Sequence, residues 1–194
     1  VLSWLVAGQE AFSLIRGIRT ASRAISDIVG RVRSYSSLDR GQIQHVDIRE
    51  SIGNALSMLK TGMSPGIDVR VDFPEDLPTV EAHGGELGQV WTNLIQNALD
   101  AMGEDGTLEV RAMTEGSDCL VVEIADSGEG IPDAIRPRIF DPFFTTKPQG
   151  KGTGLGLAIT YGIVVNQHRG SIRIDSRPGE TVVEVALPRV LPKV

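Results

Sequence analysis

The chain has 194 residues, 41% hydrophobic and 23% charged, with a net charge of −6. That length accommodates one large domain, or one domain and an appendage, with ample buried core. The acidic balance argues against nucleic acid or an anionic membrane as a partner, and no apolar run approaches the ~20 residues of a membrane span. Cys119 is the single cysteine, so there is no disulfide framework and no cysteine zinc site. His45, His83 and His168 are too far apart for an H-x-x-x-H metal motif. Glycine is over-used, at 22 residues, and six of these fall between Gly128 and Gly156. The chain begins at Val1 with no leader signature. It reads as a piece of a longer protein from a reducing, cytoplasmic compartment.

Residues 9–38 read as one long helix. Leu14, Ile18, Ala21, Ile25, Ile28, Val32 and Tyr35 repeat at a 4,3 spacing, which is a heptad seam. Such a helix lies on its own domain or forms half of a dimerising hairpin; the 3.5-residue period favours the hairpin. A second helix is expected at 48–62, with Asp47 as N-cap and Glu50 completing a capping box. Residues 67–73 alternate as a strand, and Pro74 and Pro78 bracket a turn. A helix at 84–102 follows, then strands at 107–114 and 119–125, a Gly/Pro-rich stretch, and a helix at 154–167. Strands at 171–176 and 181–187 close the chain across a hairpin turn at Ser176–Gly179. The expected domains are 1–46, a partial helical segment and linker, and 47–194, an α+β two-layer sandwich with a mixed sheet and three helices.

Four features of 84–157 carry chemistry. The helix at 84–102 has a broad apolar face and, opposite it, a narrow stripe of Glu86, Gln89, Asn93, Asn97 and Asp100. Two mid-helix asparagines four residues apart cost helix stability, and an amide oxygen suits Mg²⁺ or a hydrogen-bond donor. A solvated face is the alternative reading. Next, the strand ending at Ala125 runs into Asp126-Ser-Gly128-Glu-Gly130-Ile131, where glycines let the backbone approach a ligand. Phe140, Phe143 and Phe144 then sit in a loop that reads as a lid or as a satellite core cluster. Finally, Gly150-Lys-Gly152-Thr-Gly154-Leu-Gly156-Leu157 opens a helix with exposed amides, an anion site for which phosphate is the natural guest. Thr145 and Gly152 exclude a P-loop, and Leu157 excludes a dinucleotide fingerprint.

Together these elements resemble the ATP-binding domain shared by sensor histidine kinases, DNA gyrase, Hsp90 and MutL-type ATPases. Asn93-x-x-x-Asn97 looks like the N box, and Asp126-x-Gly128-x-Gly130 like the first glycine box. Phe140-Asp-Pro-Phe-Phe144 looks like the F box, and Gly152-Thr-Gly-Leu-Gly156 like the second glycine box. Pro178-Gly179-Glu-Thr181 looks like the closing hairpin. The resemblance covers 47–188, and the phenylalanine-rich loop is similar to the histidine kinase branch.

The resemblance implies a Bergerat-type sandwich, with ATP and Mg²⁺ as ligands. Asn97 would coordinate the metal and Asn93 would support phosphate or metal. Asp126 would accept the adenine amino hydrogen, and Gly128 and Gly130, with Ile131, would shape the adenine pocket. Lys147 and the amides of Gly152, Thr153, Gly154, Leu155 and Gly156 would meet the phosphates, with Leu157 in the same set. Thr181 would reach adenine. Asp100 stands where many kinases carry a basic residue, and matches an Asp-Ala form found elsewhere in the family. No His-Glu or His-Asp acceptor dipeptide occurs here. The three histidines read as surface or capping residues, and the acceptor is expected upstream of Val1. The implied activity is transfer of the ATP γ-phosphate to a histidine and on to a response regulator, in a homodimer held by the N-terminal helix. No nucleic acid and no membrane contact by this portion is expected. A nucleotide-sensing dimerisation module and an anti-sigma-type serine kinase are the rival readings.

Overall fold

The computed structural model describes residues 42–148 and 152–191. The helix expected at 9–38 lies outside the described residues. Arg40–Phe144 and Gly154–Val194 make one compact unit, and Thr145–Thr153 belongs with Val1–Asp39 to another. Every described helix and strand lies in the first of these units.

Helix α1 spans Ile48–Leu59 after strand β1, Gln44–Val46. Asp47 caps it, accepting from Arg49 N at 2.9 Å. The Arg49 guanidinium folds back onto the same carboxylate at 2.9 Å and holds its pKa below the usual carboxylate value. Strand β2, Gly66–Asp72, follows, then β3, Val80–Ala82, which pairs antiparallel with β1. Both short strands went unforeseen: 44–46 reads as linker, and three residues are too few to display alternation.

Helix α2 spans Gly84–Met102, as its apolar stripe predicts. Leu87, Val90, Trp91, Leu94, Ile95, Ala98 and Leu99 are all buried. Strands β4 (Asp105–Glu115), β5 (Cys119–Asp126), β6 (Ser171–Arg177) and β7 (Glu180–Pro188) join β2 in a five-stranded sheet of order β2-β4-β5-β7-β6. Only β2 and β4 are parallel, and α2 supplies the crossover between them that parallel pairing demands. Leu108, Val110, Leu120, Val122, Ile124, Val185 and Leu187 point from the sheet into one core with Ile48 and Ile52 of α1 and the buried face of α2. The opposite sheet face is charged, with Arg111 2.6 Å from Glu109 and Arg173 3.5 Å from Glu184. Those pairs are solvent-exposed and add little stability. Among the described residues no helix is long and apolar enough to cross a membrane.

Helix α3 spans Gly156–Tyr161 and widens into a π-helical turn over Gly162–Gln167. The wide turn brings His168 inward, where its residue is 1% exposed. This corrects the surface or capping role expected for that histidine. His168 Nε2 accepts from His83 N at 3.1 Å, so Nδ1 carries the hydrogen and donates to Ile163 O at 2.9 Å. The ring thereby ties the π turn to the start of α2 as a neutral imidazole. Burial pushes its pKa down, the Ile163 carbonyl opposes, and His83 adds to the lowering. The unfolded chain therefore binds a proton at a higher pH than the folded one. Stability should fall as pH drops below the ordinary histidine value toward the lowered one. Urea denaturation at pH 7.5 and pH 5 should show a smaller loss for His168→Gln than for the wild type; equal losses would remove His168 as the cause.

Candidate functional site

The site is built where β5 and β6 end and β7 begins, beside α2. Asp126 pairs in register with Thr181, and Thr181 with Ser176. Leu108, Asp126, Thr181 and Ser176 thus form one rung across four strands, on the face that packs against the helices. All four are buried. Asp126, 7% exposed, accepts from Gly128 N at 2.9 Å. Burial pushes its carboxyl pKa up, and the Gly128 N–H partly offsets the shift. Ser176 Oγ lies 2.8 Å from Thr181 Oγ1.

The glycine-bearing segment after β5 is stitched over this rung. Ile131 N donates to Ser176 Oγ at 2.8 Å, and Gly179 N donates to Gly128 O at 2.9 Å. Gly130 has φ +80, and a Cβ there would stand 2.6 Å from Arg177 O. A side chain at 130 would therefore push the segment off the β6–β7 hairpin. On its other side the segment meets α2, since Glu129 N donates to Ala101 O at 3.3 Å and a Cβ on Gly128 would lie 2.8 Å from Ala101. Arg136 braces the arrangement through Ser176 O and, at 3.4 Å, Ile131 O.

One turn and two turns back along α2 stand Asn97 and Asn93, both half-buried. Asn93 Nδ2 donates to Gly156 O at 3.2 Å, tying α2 to the start of α3. Leu155 and Leu157 flank that point, Leu155 buried and Leu157 packed at the core's edge. Asp100 is exposed and accepts from Gln96 Nε2 at 2.9 Å. Among the described residues no group of three or more His, Cys, Asp or Glu could hold a metal. A divalent cation here would rest on amide oxygen, with water and ligand oxygens completing its shell. Mg²⁺ tolerates such a sparse donor set.

The phenylalanines divide. Phe140 packs against Tyr161 at 5.3 Å between ring centroids, and Arg138 lies over the Phe144 ring at 4.6 Å. Phe143 is 68% exposed with φ +68, and its N donates to Gly154 O at 2.9 Å. Gly154 has φ +65 and no room for a Cβ, which would fall 2.3 Å from Phe143 C. Lys147, Gly152 and Thr153 belong to the other unit. Within it, Lys147 N donates to Thr145 Oγ1 at 3.2 Å, and Gly152 packs against that turn.

Of the residues singled out from sequence, Asp126, Gly128, Gly130, Ile131 and Thr181 meet at the rung. Asn93 meets the start of α3 at Gly156, flanked by Gly154, Leu155 and Leu157, while Asn97 lies one turn further along α2 and Asp100 one turn beyond Asn97. Sequence reasoning missed Ser176 and Arg136. The alternation of Ile172, Ile174 and Ser176 across from Thr181 carries the signal for Ser176.

The family described as histidine kinase-, DNA gyrase B- and HSP90-like ATPase matches residues 82–191. Sensor kinase CckA of Brucella abortus is 32% identical over 95% of this chain and 21% of its own length. Sporulation kinase A of Bacillus subtilis is 36% identical over 75% of this chain and 24% of its own length. The chain thus spans between a fifth and a quarter of these relatives. The solved catalytic domain of histidine kinase ThkA is 32% identical, with a TM-score of 0.70, over 77% of this chain and 97% of that one. A second ThkA structure, in complex with response regulator protein TrrA, is 26% identical with a TM-score of 0.70, over 87% of this chain and 49% of that one. On the order of its elements, the rung at Asp126 and these matches together, the chain belongs to the histidine kinase-, DNA gyrase B- and HSP90-like ATPase family.

Proposed function

We propose that this chain is the ATP-binding, phosphoryl-donating part of a sensor histidine kinase. ATP is the ligand of the family's ATPase domain. The observation that carries the reading is the buried Asp126–Thr181 pair under the Gly128–Ile131 segment, which meets α2 at Ala101, on the helix that also carries Asn93 and Asn97. Asp126 accepts the amino hydrogen of adenine, and Thr181 meets the neighbouring edge. Gly128, Gly130 and Ile131 form the wall against the base. Asn97 presents its amide oxygen to Mg²⁺, and Asn93 fixes the α3 start beside it. Bound Mg²⁺ supplies neutralising charge for the phosphates. The amides of Gly154, Leu155 and Gly156 face the phosphate end, with Leu157 behind them and Asp100 at the rim. Lys147, Gly152 and Thr153 are assigned to the phosphates on sequence grounds alone.

A histidine imidazole that is not one of this chain's three attacks the γ-phosphorus in line. The P–O bond to ADP breaks, and an aspartate of a response regulator then takes the phosphoryl group. Transfer of this kind needs mainly positioning and electrostatics. A regulator as partner is supported by the ThkA–TrrA complex. A homodimer through the heptad helix at 9–38, in the cytoplasm, completes the reading.

The test is to incubate the polypeptide that carries this chain with γ-labelled ATP and Mg²⁺. An acid-labile, base-stable product is expected, whereas residues 1–194 alone should bind ATP without acquiring label. Asn97→Ala should abolish the Mg²⁺-dependent part of ATP affinity in calorimetry, about tenfold or more. Unchanged affinity would remove Asn97 from the site. ATP binding with no label on any histidine would favour the nucleotide-sensing module.

A further inference from the structure

Ser176 shares the rung with Asp126 and Thr181, yet the adenine and phosphate contacts leave it unused. We propose that Ser176 is a positioning residue for base selection, fixing the Thr181 hydroxyl as a hydrogen-bond donor beside the Asp126 acceptor. The proposal rests on the adenine reading of the rung.

The direction follows from counting hydrogens. Ile131 N–H can only donate, so Ser176 Oγ is its acceptor at 2.8 Å. Ser176 has one proton of its own, and its neighbour at 2.8 Å is Thr181 Oγ1. If Ser176 donates to Thr181, the Thr181 proton turns toward the Asp126 end of the rung. There a carboxylate or a base can accept it. In the reverse assignment Thr181 donates inward. The Ser176 proton is then left without an acceptor among the described hydrogen bonds, in a buried position where an unmade donor is costly. Arg136 holds Ser176 O and Ile131 O together, so the Ile131–Ser176 bond that sets the direction is itself braced.

The consequence lies in the edge the rung can read. Adenine presents an amino donor next to a ring-nitrogen acceptor. An acceptor at Asp126 next to a donor at Thr181 complements it. Hypoxanthine reverses both positions, with a carbonyl oxygen next to an N–H. A freely rotating Thr181 hydroxyl could turn a lone pair toward that N–H and surrender half of the discrimination. Ser176 denies it that freedom, and so contributes to selectivity without touching the nucleotide.

Titration calorimetry on the 194-residue chain, with ATP and with inosine triphosphate, tests this. Wild type should prefer ATP. Ser176→Ala should narrow the ATP-to-inosine preference roughly three- to tenfold. Thr181→Val should narrow it similarly, and Ser176→Ala added to Thr181→Val should change it no further. Ser176→Cys keeps the shape with a thiol too weak to hold the direction, and should also narrow the ratio, so it decides the matter if the alanine variant does not fold. A lower Tm with an unaltered ratio in either Ser176 variant would make the residue merely structural and overturn the proposal alone. A wild type without preference for ATP would overturn the adenine reading along with it.

Discussion

Asp126→Asn is expected to weaken ATP about thirtyfold to a hundredfold while leaving the unliganded protein at least as stable as wild type. The two effects have one cause. The carboxylate is buried, and its pKa is raised because burial disfavours the charge, against the single N–H of Gly128. A folded pKa above the unfolded one means the charged group costs stability at neutral pH. That cost is relieved as pH falls through the raised value. The asparagine amide removes it at every pH, and its oxygen can still accept from Gly128 N. Toward adenine, however, the amide can present a donor where the amino group needs an acceptor. Two facing donors in a buried site are worse than an empty position. Thermal unfolding with and without Mg²⁺–ATP, together with calorimetry, reads both halves. The variant's Tm should match or exceed wild type without nucleotide and rise far less with it. Equal ATP affinity in the two proteins would defeat the assignment of Asp126 to the base.

Trp91→Ala should cost about 3–5 kcal/mol, the largest stability loss expected from a single truncation in this core. Trp91 is fully buried on the face of α2 opposite Asn93 and Asn97. Its indole Nε1 has no hydrogen-bond partner, so the ring is held by packing alone. That orphan donor makes a second substitution informative. Trp91→Phe also removes ring volume, but it relieves an unmade hydrogen bond worth ~1–3 kcal/mol. Its net loss should stay below about 2 kcal/mol. Urea denaturation of the three proteins checks the order; a phenylalanine variant as unstable as the alanine one would show the indole N–H to be satisfied in solution. Since α2 carries the asparagine stripe, Trp91→Ala should also lower apparent ATP affinity by populating unfolded chain.

How much of the structure is legible beforehand depends on how many residues carry each signal. Helix α2 is legible end to end because eight apolar residues recur on one face over five turns. The hairpin of β6 and β7 is legible because alternation on both sides meets a Pro-Gly turn. The short strands β1 and β3 are not, since their pairing is decided by contact with each other across the intervening helix and strand rather than by local pattern. The inward turn of His168 depends on a π-helical widening that no spacing announces. In the candidate site, Asp126, Gly128, Gly130 and Thr181 stand out because their types are unusual in their places. Ser176 is hidden because a serine at a strand end before a turn is what any hairpin would carry. Only its register against Thr181 and its bond from Ile131 give it meaning.

The bond between Phe143 N and Gly154 O, with both residues in the left-handed region, has a consequence for how such proteins can diverge. It closes the chain on itself at one point, so the intervening excursion begins and ends at the same place whatever it contains. The entropy of closing a loop grows only with the logarithm of its length, so doubling this one adds roughly 0.6 kcal/mol. Insertions, deletions and wholesale changes of composition there are thus thermodynamically cheap, provided that the residue at 154 remains glycine. Apart from Lys147, Gly152 and Thr153, which the phosphate assignment constrains, evolution can rewrite that stretch at little cost to the stability of the sheet, α2 and the rung.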